Sequence, residues 1–369
     1  MLLLAMMLIP INRVWHDDKQ AVPAIAGSPQ EAASVGTLFV PVKELRPIGN
    51  AWNAWTSAGA EAPDLTIAAR LEEESGWRSW TGRTKLLMTI KRNGSGGRLD
   101  VAMLDSQTCV CTPADASAAT KLYKEWSQRQ ETHWTLASAI YQYEKKYKKW
   151  PDKLEDLIRP YPNNVLAGEG SGMRDIFGEV LAKQKLLQKQ SEAAEPEEEV
   201  STAQGKPAGT KVGTNGYMDE QWGRPMEIIV DRATYRLAVV QGNMIIRSYE
   251  VGLGGDETPE GTFYISEKVR NPNGSENGVF GSRGMTLSNT LYAIHGTDEP
   301  DSIGKDESLG CIRMGKEDVE ELYDLVPLGT VVKIKNGTLP SKAQQQVERF
   351  KLEPQQNETN PDKVYQWLT

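Results

Sequence analysis

Downstream of Met226 the chain alternates between short apolar runs and turn residues at close, regular spacing. The runs Glu227-Ile228-Ile229-Val230-Asp231, Tyr235-Arg236-Leu237-Ala238-Val239-Val240, Met244 to Val251 and Thr262-Phe263-Tyr264-Ile265 are separated by Arg232-Ala233-Thr234, by Gln241-Gly242-Asn243 and by a glycine-rich stretch over 252–261. Branched and aromatic residues bounded by Gly, Asn and Asp predict strands joined by turns. A helix is predicted over 316–325, ahead of a last strand over 330–334. Short strands with one helical interruption predict a β-sandwich or barrel.

Upstream the period changes twice. Leu38-Phe39-Val40-Pro41-Val42-Lys43-Glu44-Leu45 reads as a strand running into a short helix. Residues 85–91 and 98–104 read as the two arms of a hairpin around Asn93-Gly94-Ser95-Gly96-Gly97. Trp52, Trp55, Trp77 and Trp80 are expected in packing, ahead of a sugar-stacking surface. From Ala118 to Tyr147 apolar residues fall at helical spacing (Leu122, Trp126, Trp134, Leu136, Ile140, Tyr143). Trp150 to Ile158 predicts a short helix with Pro151 in its first turn, and Arg174 to Gln190 a further one. His133 is read as structural, and Lys145, Lys146, Lys148 and Lys149 as a solvated helix end.

These changes divide the chain into an anchor-like segment 1–27, a small α+β domain 28–112, a helical region 113–190, a flexible linker 191–217, a mainly β domain 218–336 and a polar tail 337–369. The linker carries Glu195-Pro196-Glu197-Glu198-Glu199 and almost no apolar residue, so it cannot bury a core. In the tail, Val364-Tyr365-Gln366-Trp367-Leu368 is apolar enough to dock on the body, and the sequence does not decide whether it does. Met1 to Ile11 is nearly all apolar but too short to span a bilayer. It is read as the end of a signal peptide or membrane anchor, with a buried element as the alternative.

The net charge of −8 lacks the basic stripe that nucleic acid requires. Of three cysteines, Cys109 and Cys111 are expected as small half-exposed residues at a strand end, ahead of a mutual disulfide or a metal site; no His/Cys set has zinc spacing. The third carries the chemistry. His295 ends the apolar run Leu291-Tyr292-Ala293-Ile294, and Cys311 follows the turn-rich Gly304-Lys305-Asp306-Glu307-Ser308-Leu309-Gly310. A thiol and an imidazole brought together by such a loop suffice for nucleophilic catalysis: the imidazole takes the thiol proton and later protonates the leaving amine. Gly310 permits a sharp turn and close approach of backbone amides to a substrate oxygen. Arg313 offers a cationic fork for a carboxylate.

His295-Gly296-Thr297, Ile303-Gly304 and Ser308-Leu309-Gly310-Cys311-Ile312-Arg313-Met314 resemble the active-site signature of the L,D-transpeptidase (YkuD-type) family. Upstream, Thr258-Pro259-Glu260-Gly261-Thr262-Phe263 is similar to a turn of that family. Downstream, Asp318, Leu322-Tyr323 and residues 327–332 are similar to its closing helix and strand. The resemblance spans residues 225–336. It departs at Leu309, where the family most often has His, which leaves His295 as the one histidine of this domain. The "LFVPVKEL" run with the later hairpin resembles, more weakly, a copper amine oxidase N-terminal-like domain, which implies neither copper nor oxidation.

The resemblance implies a mainly β YkuD-type catalytic domain with one helix, with Cys311 as nucleophile and His295 as base. Ser308 to Gly310 would orient the imidazole through a carbonyl, with Asp298, Asp301 and Asp306 as alternatives, and the Gly310 and Cys311 amides would hold the oxyanion. Arg313, Gly296 and Thr297 are the implied substrate-binding residues. The implied reaction is acyl transfer on peptidoglycan stem peptides: attack at the third residue, loss of D-alanine and a 3→3 cross-link, in a site open to carbapenems. It needs no metal and no organic cofactor. It implies a bacterial protein, Gram-positive by its N-terminal modules, acting outside the cytoplasm in the wall or anchored to the membrane's outer face. An L,D-carboxypeptidase using the same site, or a wall-binding protein without turnover, are the other readings.

Overall fold

The computed structural model describes residues 35–40, 47–58, 62–93, 98–107, 109–193, 224–341 and 348–369. The expected anchor segment and most of the expected linker lie outside them. Among the described residues no helix is long and apolar enough to cross a membrane.

The chain begins with β1 (Val35–Phe39), α1 (Pro47–Ala58), β2 (Leu65–Arg70), β3 (Glu72–Glu74), β4 (Trp77–Ser79), β5 (Lys85–Asn93) and β6 (Arg98–Met103). The sheet order β1-β2-β5-β6 places the predicted hairpin at one edge, with Asn93 opposite Arg98. One face of this sheet closes on α1 through Leu38, Ala51, Trp55, Leu87 and Ile90. This is the α+β region that the pattern predicts.

The helical region comprises α2 (Ser117–Tyr147), β7 (Gly168–Glu169) and α3 (Met173–Ala193). Lys148, in a left-handed conformation, ends α2 with its N–H on the Glu144 carbonyl. The short helix predicted over 150–158 shrinks to one 3₁₀ turn, Leu154–Asp156. The Asp156 carboxylate accepts the N–H groups of Asp152 and Lys153 at 2.9 and 3.3 Å, and so ties the preceding residues into a turn.

Next come β8 (Glu227–Asp231), β9 (Arg236–Gln241), β10 (Met244–Gly252), β11 (Gly261–Arg270), β12 (Arg283–Leu287), β13 (Ala293–Gly296), β14 (Ile312–Met314), α4 (Lys316–Leu325), β15 (Val331–Lys335) and β16 (Glu353–Pro354). The order β14-β13-β12-β11-β15-β8-β9-β10 closes on itself, because the end of β10 also pairs with β14 (Val251 with Met314, Gly252 with Arg313). The mainly β domain is therefore a closed barrel. The strands read as continuous apolar runs because both faces are covered. Ile228, Val230, Leu237 and Val239 point into the main core, whereas Ile229, Ala238 and Val240 pack outward under Trp77 and Leu339.

The regions expected as separate domains share this structure. β4 pairs with the start of β10 (Arg78 with Met244, Ser79 with Ile245), which extends the barrel sheet by β4 and β3. Trp80, Trp126 and Trp134 interlock, and with Leu136, Ile140 and Tyr143 they join one core that runs into the barrel. Trp55, Trp77 and Trp80 are buried as expected, and only Trp52 is exposed. Charge reinforces the seam: Arg247 of β10, 2% exposed, holds Glu131 of α2 through two bonds of 2.8 and 2.7 Å and Glu321 of α4 at 2.9 Å. The expected polar tail likewise belongs to the body. Phe350 and Leu352 enter the core, and β16 pairs with β7.

Cys109 and Cys111 correct the sequence reading, for their sulfurs are joined in a disulfide. Cys311 is the free cysteine, and it is buried.

Candidate active site

The site is built where β13 and β14 run side by side. Their parallel register pairs Ile294 with Ile312 and His295 with Arg313. Side chains alternate along a strand, so Ile294 and Ile312 enter the core while Ala293, His295, Cys311 and Arg313 share the outer face. The Ala293 N–H donates to Cys311 Sγ at 3.3 Å, and Sγ lies 3.6 Å from the Leu291 carbonyl. Sequence alone does not bring positions 295 and 311 together; the pairing of β13 with β14 does.

The loop before the cysteine is shaped by its own polar groups. Ser308 Oγ donates to the Cys311 carbonyl at 2.8 Å and accepts the Gly310 N–H at 3.2 Å. Gly310 adopts a φ of +123°, and a β-carbon there would lie 2.6 Å from the Glu257 carbonyl oxygen. Only glycine fits this turn. The Gly310 amide, expected as an oxyanion donor, is thus engaged by Ser308. The Cys311 amide instead donates outward, to the Leu368 carbonyl at 2.9 Å.

The imidazole is oriented by its own strand. His295 Nδ1 lies 2.5 Å from the Gly296 carbonyl. A carbonyl can only accept, so the neutral ring carries its proton on Nδ1 and presents the Nε2 lone pair. Among the described residues Nε2 has no hydrogen-bond partner. The expected orienters, Ser308 to Gly310, do not serve this role. Of the alternative carboxylates, Asp306 is taken up by the Tyr235 hydroxyl and the Gly255 N–H, both at 2.8 Å.

Burial governs the electrostatics. Cys311 and His295 are both 0% exposed. Desolvation pushes the Cys311 thiol up to about 12, against smaller opposing effects of the backbone amides and Arg313. Desolvation lowers His295 to about 4; the Gly296 carbonyl opposes this and Arg313 adds to it. In this conformation burial therefore favours the neutral thiol and the neutral imidazole.

The implied binding residues occupy distinct places. Arg313 is 7% exposed and donates to Glu299 at 2.8 Å and to the Thr369 hydroxyl at 3.1 Å. Gly296 is buried against Gly281 and Val319, and the Thr297 hydroxyl accepts the Glu299 N–H. Leu309 is 61% exposed at the rim. Sequence reasoning left undecided the covering of the site. Trp367 lies over the His295 ring, and Tyr365 and Phe280 pack beside it. Among the described residues no group of three His, Cys, Asp or Glu side chains is placed to hold a metal ion.

The closed barrel carries a buried histidine on β13 and a buried cysteine just before the adjacent, parallel β14, and the comparisons with known proteins give the class. The model of the YkuD L,D-transpeptidase catalytic domain matches residues 225–334. YkuD of Bacillus subtilis (strain 168) is 42% identical over 112 residues, which cover 30% of this chain and 66% of that relative. YqjB of the same organism is 38% identical over 122 residues, 29% of this chain and 69% of that relative. The chain belongs to the L,D-transpeptidase (YkuD) family. It spans about two thirds of the length of these curated relatives. A solved L,D-transpeptidase from Mycobacterium smegmatis aligns over 30% of this chain and 59% of its own, at 18% identity and a TM-score of 0.25.

Proposed function

We propose that this protein is a cysteine acyltransferase that acts on peptidoglycan stem peptides outside the cytoplasm. The observation that supports the reading best is the β13–β14 register, which sets His295 and Cys311 on one face with the imidazole proton on Nδ1. In this reading His295 Nε2 takes the Cys311 proton, and the thiolate attacks the carbonyl of the stem's third residue. The oxyanion is held by the Cys311 amide. Collapse breaks the C–N bond, and His295 gives the proton to the departing D-alanine amine. The side-chain amine of a second stem then attacks the thioester, expels the thiolate and forms the 3→3 cross-link. Arg313, freed from Glu299, receives a stem carboxylate.

The test is intact-mass spectrometry after exposure to a tetrapeptide stem and, separately, to a carbapenem, beside Cys311→Ala. An adduct that requires Cys311 is expected, with cross-linked product from the stem. Hydrolysed product alone would assign an L,D-carboxypeptidase. No adduct with either reagent, in folded protein with a reduced thiol, would leave a wall-binding role.

A further inference from the structure

The segment 363–369 is fastened across the site by its backbone and by its aromatic side chains. Leu368 donates its N–H to the Leu291 carbonyl at 3.1 Å and accepts the Cys311 N–H at 2.9 Å. Leu368 thus bridges, through its own N–H and C=O, the segments that lead into β13 and β14. Because the Leu291 carbonyl also lies 3.6 Å from Cys311 Sγ, the Leu368 peptide sits beside the thiol. Arg313 reaches the Thr369 hydroxyl one residue on. A peptide thus already occupies the amide, the carbonyl and the guanidinium that a peptide substrate needs.

Side chains anchor it. Trp367 is 6% exposed, stacked on His295 at 5.9 Å with planes 14° apart, and meets the edge of Phe280 at 4.9 Å. Tyr365, 3% exposed, donates its hydroxyl to Glu267 and exchanges bonds with the Asn273 amide at 2.6 and 3.1 Å. The barrel is cut to receive the indole: Gly284 stands opposite His295 on β12, and a β-carbon there would collide with the Trp367 ring.

We propose that Leu291, Cys311 and Arg313 form a groove for an extended peptide, and that Tyr365–Thr369 fills it as a resident pseudo-substrate that incoming peptide must displace. The groove recognises backbone, through the Leu291 carbonyl and the Cys311 amide, and a polar or anionic group at Arg313. Displacement takes the Trp367 ring off His295 and the Leu368 carbonyl off the Cys311 amide, so release of the segment uncovers the pair for the incoming peptide. This rests on the proposed function only in taking Cys311 as the nucleophile.

The full-length protein tests it through its one free thiol. Cys311 is alkylated with iodoacetamide under native conditions and followed by intact mass, in wild type, Trp367→Ala, Trp367→Phe and Gly284→Ala, each checked for folding by thermal unfolding. Trp367→Ala removes the anchor, and Gly284→Ala expels it from the barrel side without altering the segment. Both are expected to alkylate at least about tenfold faster than wild type, with Trp367→Phe near wild type. A synthetic peptide of residues 363–369 added to Trp367→Ala should slow alkylation again. Unchanged rates in folded Trp367→Ala and Gly284→Ala would overturn the proposal. Acylation by the tetrapeptide stem is read in parallel. Faster alkylation without acylation leaves the groove standing and removes the transpeptidase reading; acylation with unchanged alkylation does the reverse.

Discussion

The indole of Trp367 lies nearly parallel to the imidazole of His295, ring centroids 5.9 Å apart and planes 14° apart. An aromatic from the closing segment thus covers the one histidine of the barrel. The stack explains why the ring is fully buried and why burial lowers its basicity.

His295 is expected to matter for proton transfer beyond its part in packing. His295→Ala should reduce single-turnover acylation of Cys311 by a tetrapeptide stem by about 10²–10⁴-fold, the usual worth of a general base. Loss of less than tenfold in rapid-quench mass spectrometry would assign the proton to another group.

Gly281 should be intolerant of a side chain. Its φ is +60°, and a β-carbon would lie 2.7 Å from the Gly296 α-carbon, beside the carbonyl that orients His295. Gly281→Ala is expected to cost about 2–4 kcal/mol in urea unfolding, from backbone strain and overpacking together. A cost under about 0.5 kcal/mol would mean that the turn before β12 moves away from β13 freely at this point.

Arg247 joins α2, β10 and α4 in one ion-paired cluster. Arg247→Met leaves Glu131 half-paired and weakens the buried Glu321, which Arg349 still holds at 2.8 Å. We expect a loss of about 3 kcal/mol. Arg247→Met combined with Glu131→Gln should lose less than the sum of the single changes, as measured by a double-mutant cycle. Strict additivity would show that the pair is not coupled.

Stability should fall on acidification, partly through His133 of α2. Burial lowers its imidazole to about 4, with Lys183 adding to the effect. The unfolded chain therefore takes up the proton first. Stability from this residue is complete above about pH 6.5 and is lost as pH falls toward 4. Unfolding free energies from urea titrations at pH 7 and pH 4.5 should differ less in His133→Leu than in wild type, by about 2–3 kcal/mol. Equal differences would place the acid sensitivity elsewhere, with His295 the next candidate.

Much of the barrel was legible in the chain. The runs over 227–251 and the helix over 316–325 have local causes: branched residues between turn formers, and apolar residues at helical spacing. The Cys311 segment was legible because Gly310 and Ser308 shape their own turn. β12 escaped notice, since Arg283-Gly284-Met285-Thr286-Leu287 is short and its second residue is a glycine that weakens any strand signal. The pairing of β4 with β10, and with it the union of regions that composition seems to separate, also carried no local mark.

What the sequence by itself determined was most of the local states and the chemistry on offer: the strands over 227–251, the helix over 316–325, and that a thiol, an imidazole and a guanidinium are available. Only the tertiary structure decided that β13 and β14 run parallel in the register that sets His295 and Cys311 on one face. Only it decided that Gly296, not Ser308 to Gly310, orients the imidazole, and that Trp367 and Leu368 come to rest on both. The physical reason is range. Periodicity records which face of an element is buried, whereas its partner and register are chosen by packing between residues far apart in the chain.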